Sequence, residues 1–233
     1  MSVYRRQSSS IAVGALLLVA SLAIGCSSSK SSGRAKESEK AVEGFQNTRT
    51  SVIRAKAYVD RTNAALDQIA SGSGDLQQSF KNYNTCVSDL EKSAAEAKKR
   101  AQTMRENLRA YTTKWQSEID SMEDPTVRAG LQQRRDTVRA NFDKVRTKAQ
   151  AARDAYLPYI AQLKEIQRAL SVDLTPQNVN ALKPAMAKAK AQGETLKQAL
   201  VEMQAELDSM TSGMSPSTQP AAAAATTQPK PKP

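Results

Sequence analysis

The sequence predicts an all-α fold: an elongated, coiled-coil-like antiparallel bundle of four long helices, with a protruding tip where the second helix turns into the third. Three observations predict it. From Leu76 to Trp115, apolar or small residues return at alternating spacings of four and three (Leu76, Phe80, Tyr83, Val87, Leu90, Ala94, Ala97, Ala101, Met104, Leu108, Tyr111, Trp115). That is the 3.5-residue repeat of a helix with one narrow buried seam, and forty such residues span ~60 Å, so the helix needs partners along its length. The composition agrees: rich in Ala, Lys, Gln, Arg and Leu, with only 4% aromatics among 233 residues, which suits long helices better than sheets. The breaks between the periodic stretches are short, so consecutive helices run antiparallel.

Residues 1–25 come before the bundle. Arg5 and Arg6 form a short positive segment, and Ile11 to Ala23 is almost wholly apolar. That run is short of the ~20 residues of a bilayer crossing but suits the core of a cleaved signal peptide. Ala23-Ile24-Gly25-Cys26, followed by three serines, resembles the lipobox of bacterial lipoproteins. The resemblance implies cleavage between Gly25 and Cys26 and acylation of Cys26; the alternatives are an ordinary cleaved signal or an uncleaved anchor. It implies a bacterial cell-envelope location, lipid-anchored, with Ser27 compatible with the outer membrane and a periplasmic face. Several acyl chains hold durably where one does not.

Residues 26–35, Ser-rich with Gly33, read as a flexible tether, and the bundle is expected over 36–210. The first helix, about 36–70, carries the stripe Phe45, Thr48, Val52, Ala55, Val59, Thr62, Leu66, Ile69 and ends at Ser71-Gly72-Ser73-Gly74. The second, about 75–122, has Asp75 at its N-terminus. Asp124-Pro125 is a cap followed by proline at the first helical position. The third helix, about 125–171, points Val127, Leu131, Val138, Phe142, Val145, Ala149, Ala152, Tyr156, Tyr159, Leu163, Ile166 and Leu170 inward, with a seam slip between Arg134 and Phe142 and a kink expected at Pro158. Thr175-Pro176 opens the fourth, whose stripe runs from Val179 through Gly193 to Met210; Pro184 is expected to separate a short first turn from the main rod. Residues 211–233, rich in Ala, Pro and Thr, read as a disordered tail.

The outer helices, nearer ~50 Å, are expected to cover only part of a central hairpin of ~70 Å. Its tip near Asp124 is then exposed, on the side from which the tether enters. Around it, residues 96–153 hold fourteen Lys or Arg against eight acids. Lys98, Lys99, Arg100, Arg105, Arg109, Arg128, Arg134, Arg135 and Arg139 are candidate contacts to an anionic surface, either lipid or cell wall; the bland reading is a solvated helix face. The net charge of +11 favours anionic neighbours, and a secreted address argues against nucleic acid.

The chain has no His, which removes the commonest general base, the commonest zinc ligand and any Ser-His or Cys-His pair. No metal site or cofactor motif is expected, nor any catalytic set. With Cys26 acylated, Cys86 has no internal partner and reads as a half-buried structural thiol, with an intermolecular bridge as the alternative.

The run from Trp115 to Met210 is similar to a family of helical bacterial lipoproteins of unknown function. The similarity rests on Lys114-Trp115-Gln116-Ser117-Glu118-Ile119, the Arg-rich start of the third helix, Tyr156-Leu157-Pro158-Tyr159, and Ala169-Leu170 with Asp173-Leu174-Thr175. It implies a helical envelope lipoprotein without an assigned activity. Two functions are expected ahead of an enzyme: a structural or adaptor rod with envelope-protein partners, and a module that binds anionic lipid or wall polymer through the basic arm.

Overall fold

Residues 31–214, apart from residue 73, are described in the computed structural model, with side chains from residue 36 onward. The leader, Gly25 and Cys26, and the tail beyond 214 lie outside the described residues. Four helices follow one another: α1 (Ser31–Ser71), α2 (Leu76–Asp120), α3 (Pro125–Val172) and α4 (Pro176–Met214). There is no strand among the described residues.

The helix ends have local causes. Gly72 and Gly74 take φ of 64° and 83°, left-handed values that a side chain resists. Asp75 then caps α2, its carboxylate accepting from the amides of Gln77 (2.8 Å) and Gln78 (3.3 Å). Asp124 does the same for α3 through Thr126 (2.7 Å) and Val127 (3.2 Å), with Pro125 in the first turn. Before α4, Asn178 Nδ2 donates to the carbonyl of Asp173 at 2.6 Å and ties the turn to the new helix.

Two boundaries differ from expectation. α1 is already helical at Ser31, within the segment read as tether, and α4 extends to the buried Met214. Pro184 does not divide α4, which is continuous from Pro176 to Met214; α3 is also one helix across Pro158, where a kink and not a break is the expectation. Both prolines lie on exposed faces, where water can satisfy the carbonyl that loses its amide partner.

The seams bury a single long core. Phe45, Leu66, Ile69, Tyr83, Leu90, Tyr159, Leu163, Ile166, Leu170, Met186 and Leu207 are almost fully enclosed, each worth about 1.5–3 kcal/mol relative to exposure. Helix pairing is uneven. α1 packs most extensively on α2, α3 on α4, and α1 on α4, whereas α2 and α3 touch least. Gly44 explains part of this, since a Cβ there would lie 3.2 Å from Met104 Cα; the missing side chain lets α2 lean onto α1. The longest helices are therefore joined at the tip yet drawn apart toward their other neighbours.

Ion pairs mark the antiparallel register: Lys197 with Asp60 and Lys190 with Asp67 (2.6 Å each) between α4 and α1, Lys148 with Glu202 (2.9 Å) between α3 and α4, and Lys164 with Glu91 (2.5 Å) between α3 and α2. These groups are largely exposed, and such pairs contribute at most about 1 kcal/mol each. A second device is internal to α1: Thr48, Ser51 and Thr62 sit in the seam but donate to the carbonyl four residues back at 2.8, 3.1 and 2.8 Å, so no buried hydroxyl there lacks a partner.

Only two helices make the tip, so residues 123–130 are exposed throughout. Val127, expected inward, is 48% exposed: its face has no third helix to meet. Tip and helix start share one end of the rod. Asn107 Nδ2 donates to the carbonyl of Lys40 at 3.1 Å, which sets the beginning of α1 beside the stretch of α2 that leads to the tip.

Candidate functional site

Where α2 leans toward α1, a cleft of about 730 Å³ opens between α2 and α3. One wall is the α2 face bearing Arg105, Arg109, Thr112, Thr113, Gln116, Ser117 and Asp120; the other is the α3 face bearing Arg135, Arg139, Phe142 and Asp143. Two arginine pairs at i, i+4 spacing therefore line one space, one pair from each helix. That spacing keeps each pair on a single helix face.

Arg135 is the anomaly. Leu131, Arg135, Val138, Phe142 and Val145 fall at spacings of four and three, so the arginine occupies a seam position where an apolar residue belongs. Its side chain is 13% exposed, and one terminal nitrogen lies 3.0 Å from Asp136, a carboxylate 56% exposed. Its Nε is buried without a partner. Gln116 Oε1 is likewise buried and unpartnered, while its amide nitrogen donates to Asp120 at 2.6 Å. The indole Nε1 of Trp115, next to it in the chain, is a third such atom. Buried polar groups left unpaired in this way are uncommon.

The nine basic candidates separate into distinct roles. Arg105, Arg109, Arg135 and Arg139 come together in the cleft. Lys98, Lys99 and Arg134 are exposed and outside it, and Arg100 is half-buried. Arg128 spends two donors on the carbonyl of Met122, bracing the α2–α3 turn. Gln116 escaped the sequence reading because a glutamine beside a tryptophan carries no periodic signal. Arg135 escaped as a seam residue because the sequence reading places a slip between Arg134 and Phe142, where the spacing from Leu131 to Val145 in fact runs unbroken once the arginine is counted.

The remaining reactive groups are inert by environment. Cys86 is buried and unbonded, and burial pushes its thiol pKa up, with Arg61 opposing and Asp89 adding to the rise; a thiol so placed is a poor nucleophile. Tyr83 donates to the carbonyl of Leu163 at 2.7 Å and Tyr159 to Asn63 Oδ1 at 2.9 Å. Burial raises both hydroxyls well above the ordinary tyrosine range. Tyr156 is pushed up to about 12, mainly by burial and further by Glu91. Among the described residues, no three His, Cys, Asp or Glu side chains cluster as metal ligands. No helix among them is long and apolar enough to cross a membrane.

A family model described as a protein of unknown function, DUF2959, matches residues 29–214. The chain belongs to the DUF2959 family. The match covers all four helices of this DUF2959 chain, the arginine cleft included. No curated protein and no solved structure matches it.

Proposed function

We propose that this chain is a lipid-tethered, non-catalytic rod of the bacterial cell envelope, acting as a structural or adaptor element. One observation carries the reading: the start of α1 lies against Asn107 of α2, so a tether at residue 26 enters at the end of the rod that bears the exposed α2–α3 tip. A rod anchored there presents its least covered surface next to its point of attachment. The lipobox-like Ala23-Ile24-Gly25-Cys26 supplies the anchor in this reading. Mass spectrometry of the mature N-terminus, with fractionation of membranes, tests it. The expected result is an acylated Cys26 at the first position and release of a Cys26→Ser chain from membranes; an unmodified Cys26 in a retained leader refutes the tether.

A second reading, in which the arm meets an anionic surface, is favoured by the four arginines that converge between α2 and α3. Cross-linking in intact envelopes separates the two. Captured proteins support an adaptor, and captured lipid or wall fragments support the arm contact.

A further inference from the structure

We propose that the α2–α3 cleft is a specific binding site for a phosphate monoester carried on a hydroxylated body, that is, a sugar or polyol phosphate. This rests on the arm reading above and narrows it from a charged surface to one built site.

The charge argument comes first. Four arginines face two aspartates in the lining, Asp120 and Asp143. Asp120 is engaged by Gln116 at 2.6 Å, and Asp143 lies 3.5 Å from the exposed Arg146. Arg135 is itself paired with Asp136 at 3.0 Å, so Arg105, Arg109 and Arg139 face Asp120 alone. Two positive charges remain, beside an Arg135 side chain 13% exposed at a core register position. A desolvated cation next to like charges is costly, and a dianion between the two arginine pairs removes that cost. A phosphate monoester carries about −1.5 to −2 at neutral pH, which matches the excess. Guanidinium forks at i, i+4 on opposing walls suit its planar, bidentate recognition.

Gln116 supplies the second part. Its buried Oε1 needs a donor, and a fully ionised phosphate has none to give. A hydroxyl on the carrier does, and Thr113 and Ser117 line the same wall. About 730 Å³ exceeds what a bare phosphate fills and lies within the usual range for small-molecule sites.

The test is titration calorimetry on the full chain in detergent, with glucose 6-phosphate, inorganic phosphate and glucose as probes, beside flotation with phosphatidylcholine vesicles containing phosphatidylinositol 4-phosphate. Flotation is read as the excess over phosphatidylcholine vesicles alone, because an acylated chain floats with both. Each Arg135→Gln or Arg139→Gln change should weaken phosphosugar binding at least about tenfold. Gln116→Leu should weaken glucose 6-phosphate but leave inorganic phosphate unchanged. Arg139 is exposed, so its variant keeps the test decisive if Arg135→Gln does not fold. Soluble binding lost in these variants upholds the site with a free ligand. Binding only to the phosphoinositide vesicles, lost in the same variants, upholds it with a lipid headgroup. Vesicle binding that survives the cleft variants but is lost on changing Lys98, Lys99 and Arg134 to Glu overturns the site and leaves the arm reading standing. No binding to any probe overturns the site, and the arm reading falls with it only if envelope cross-linking also captures neither lipid nor wall fragments. Inorganic phosphate bound as tightly as glucose 6-phosphate overturns the hydroxylated carrier and the proposal with it.

Discussion

Replacing Gly193 with Ala sets two effects of one methyl group against each other. In a helix interior the change from Gly to Ala favours folding by about 1 kcal/mol through backbone entropy. Gly130, in α3, isolates that effect: a Cβ there meets nothing within 4 Å. At Gly193, in α4, the same Cβ would lie 2.9 Å from Asn63 Nδ2, 3.0 Å from its Oδ1 and 3.2 Å from Tyr159 Cε2. Asn63 is buried and accepts the Tyr159 hydroxyl at 2.9 Å, so it cannot swing aside without orphaning that group. Overpacking costs about 1–3 kcal/mol, and an abandoned buried hydrogen bond a further 1–3 or so. Against the propensity term, Gly193→Ala should destabilise by about 2–3 kcal/mol. At roughly 2–4 °C per kcal/mol for a chain of this size, its Tm should fall by about 5–10 °C while that of Gly130→Ala rises by about 2–4 °C. Thermal melts followed by circular dichroism, on the full chain in detergent, read both. Non-additivity is the sharper measure: in an Asn63→Ala background the clash is gone, and Gly193→Ala should cost little or stabilise. A Gly193→Ala chain that melts at or above the parent temperature refutes the reasoning.

Tyr83→Phe removes the hydroxyl held by Leu163 O and should lower stability by about 1 kcal/mol in urea unfolding; a midpoint equal to the parent's would show that the carbonyl is satisfied without it. The buried tyrosines also predict an alkaline limit. Their folded pKa values are raised, so the unfolded chain releases protons first. The stabilisation is complete below pH about 10 and is lost progressively as pH rises toward 12 and beyond. Tyr156→Phe should flatten the fall between pH 10 and 12, and an unchanged slope argues against its burial. Asp124→Ala removes the cap of α3 at a cost of about 1 kcal/mol. The change should appear as faster amide exchange at Thr126 and Val127 and a Tm lower by about 2–4 °C; unaltered exchange there counts against the cap.

The fold was legible because its determinants are local. The seam of α2 from Leu76 to Trp115 is one helix in both sequence and structure, and Gly72, Gly74, Asp75, Asp124 and Pro125 end and start helices where their chemistry requires. What periodicity does not carry is the identity of the neighbour. Nothing in the spacing says that Gly44 draws α2 onto α1, or that Gly193 admits Asn63 and Tyr159. The first of those approaches draws α2 away from α3, so the cleft, unlike its arginines, was not visible in the sequence. Val127 was misplaced for a related reason: an apolar position in register stays exposed where no third helix reaches it. Pro184 was overweighted because the rule against helix prolines assumes a carbonyl out of reach of water, and its face of α4 is solvated.

The uneven pairing of the helices gives the rod a mechanical grain. It is bound like a book: the α1–α4 contact, laced by Lys190–Asp67 and Lys197–Asp60, is the spine, and the α2–α3 side is the fore-edge. The cleft at Arg135 lies along that open fore-edge, while Leu66 and Leu207 are enclosed along the binding. Whatever lodges at that fore-edge holds the covers shut and stiffens the end of the molecule that carries the α2–α3 turn.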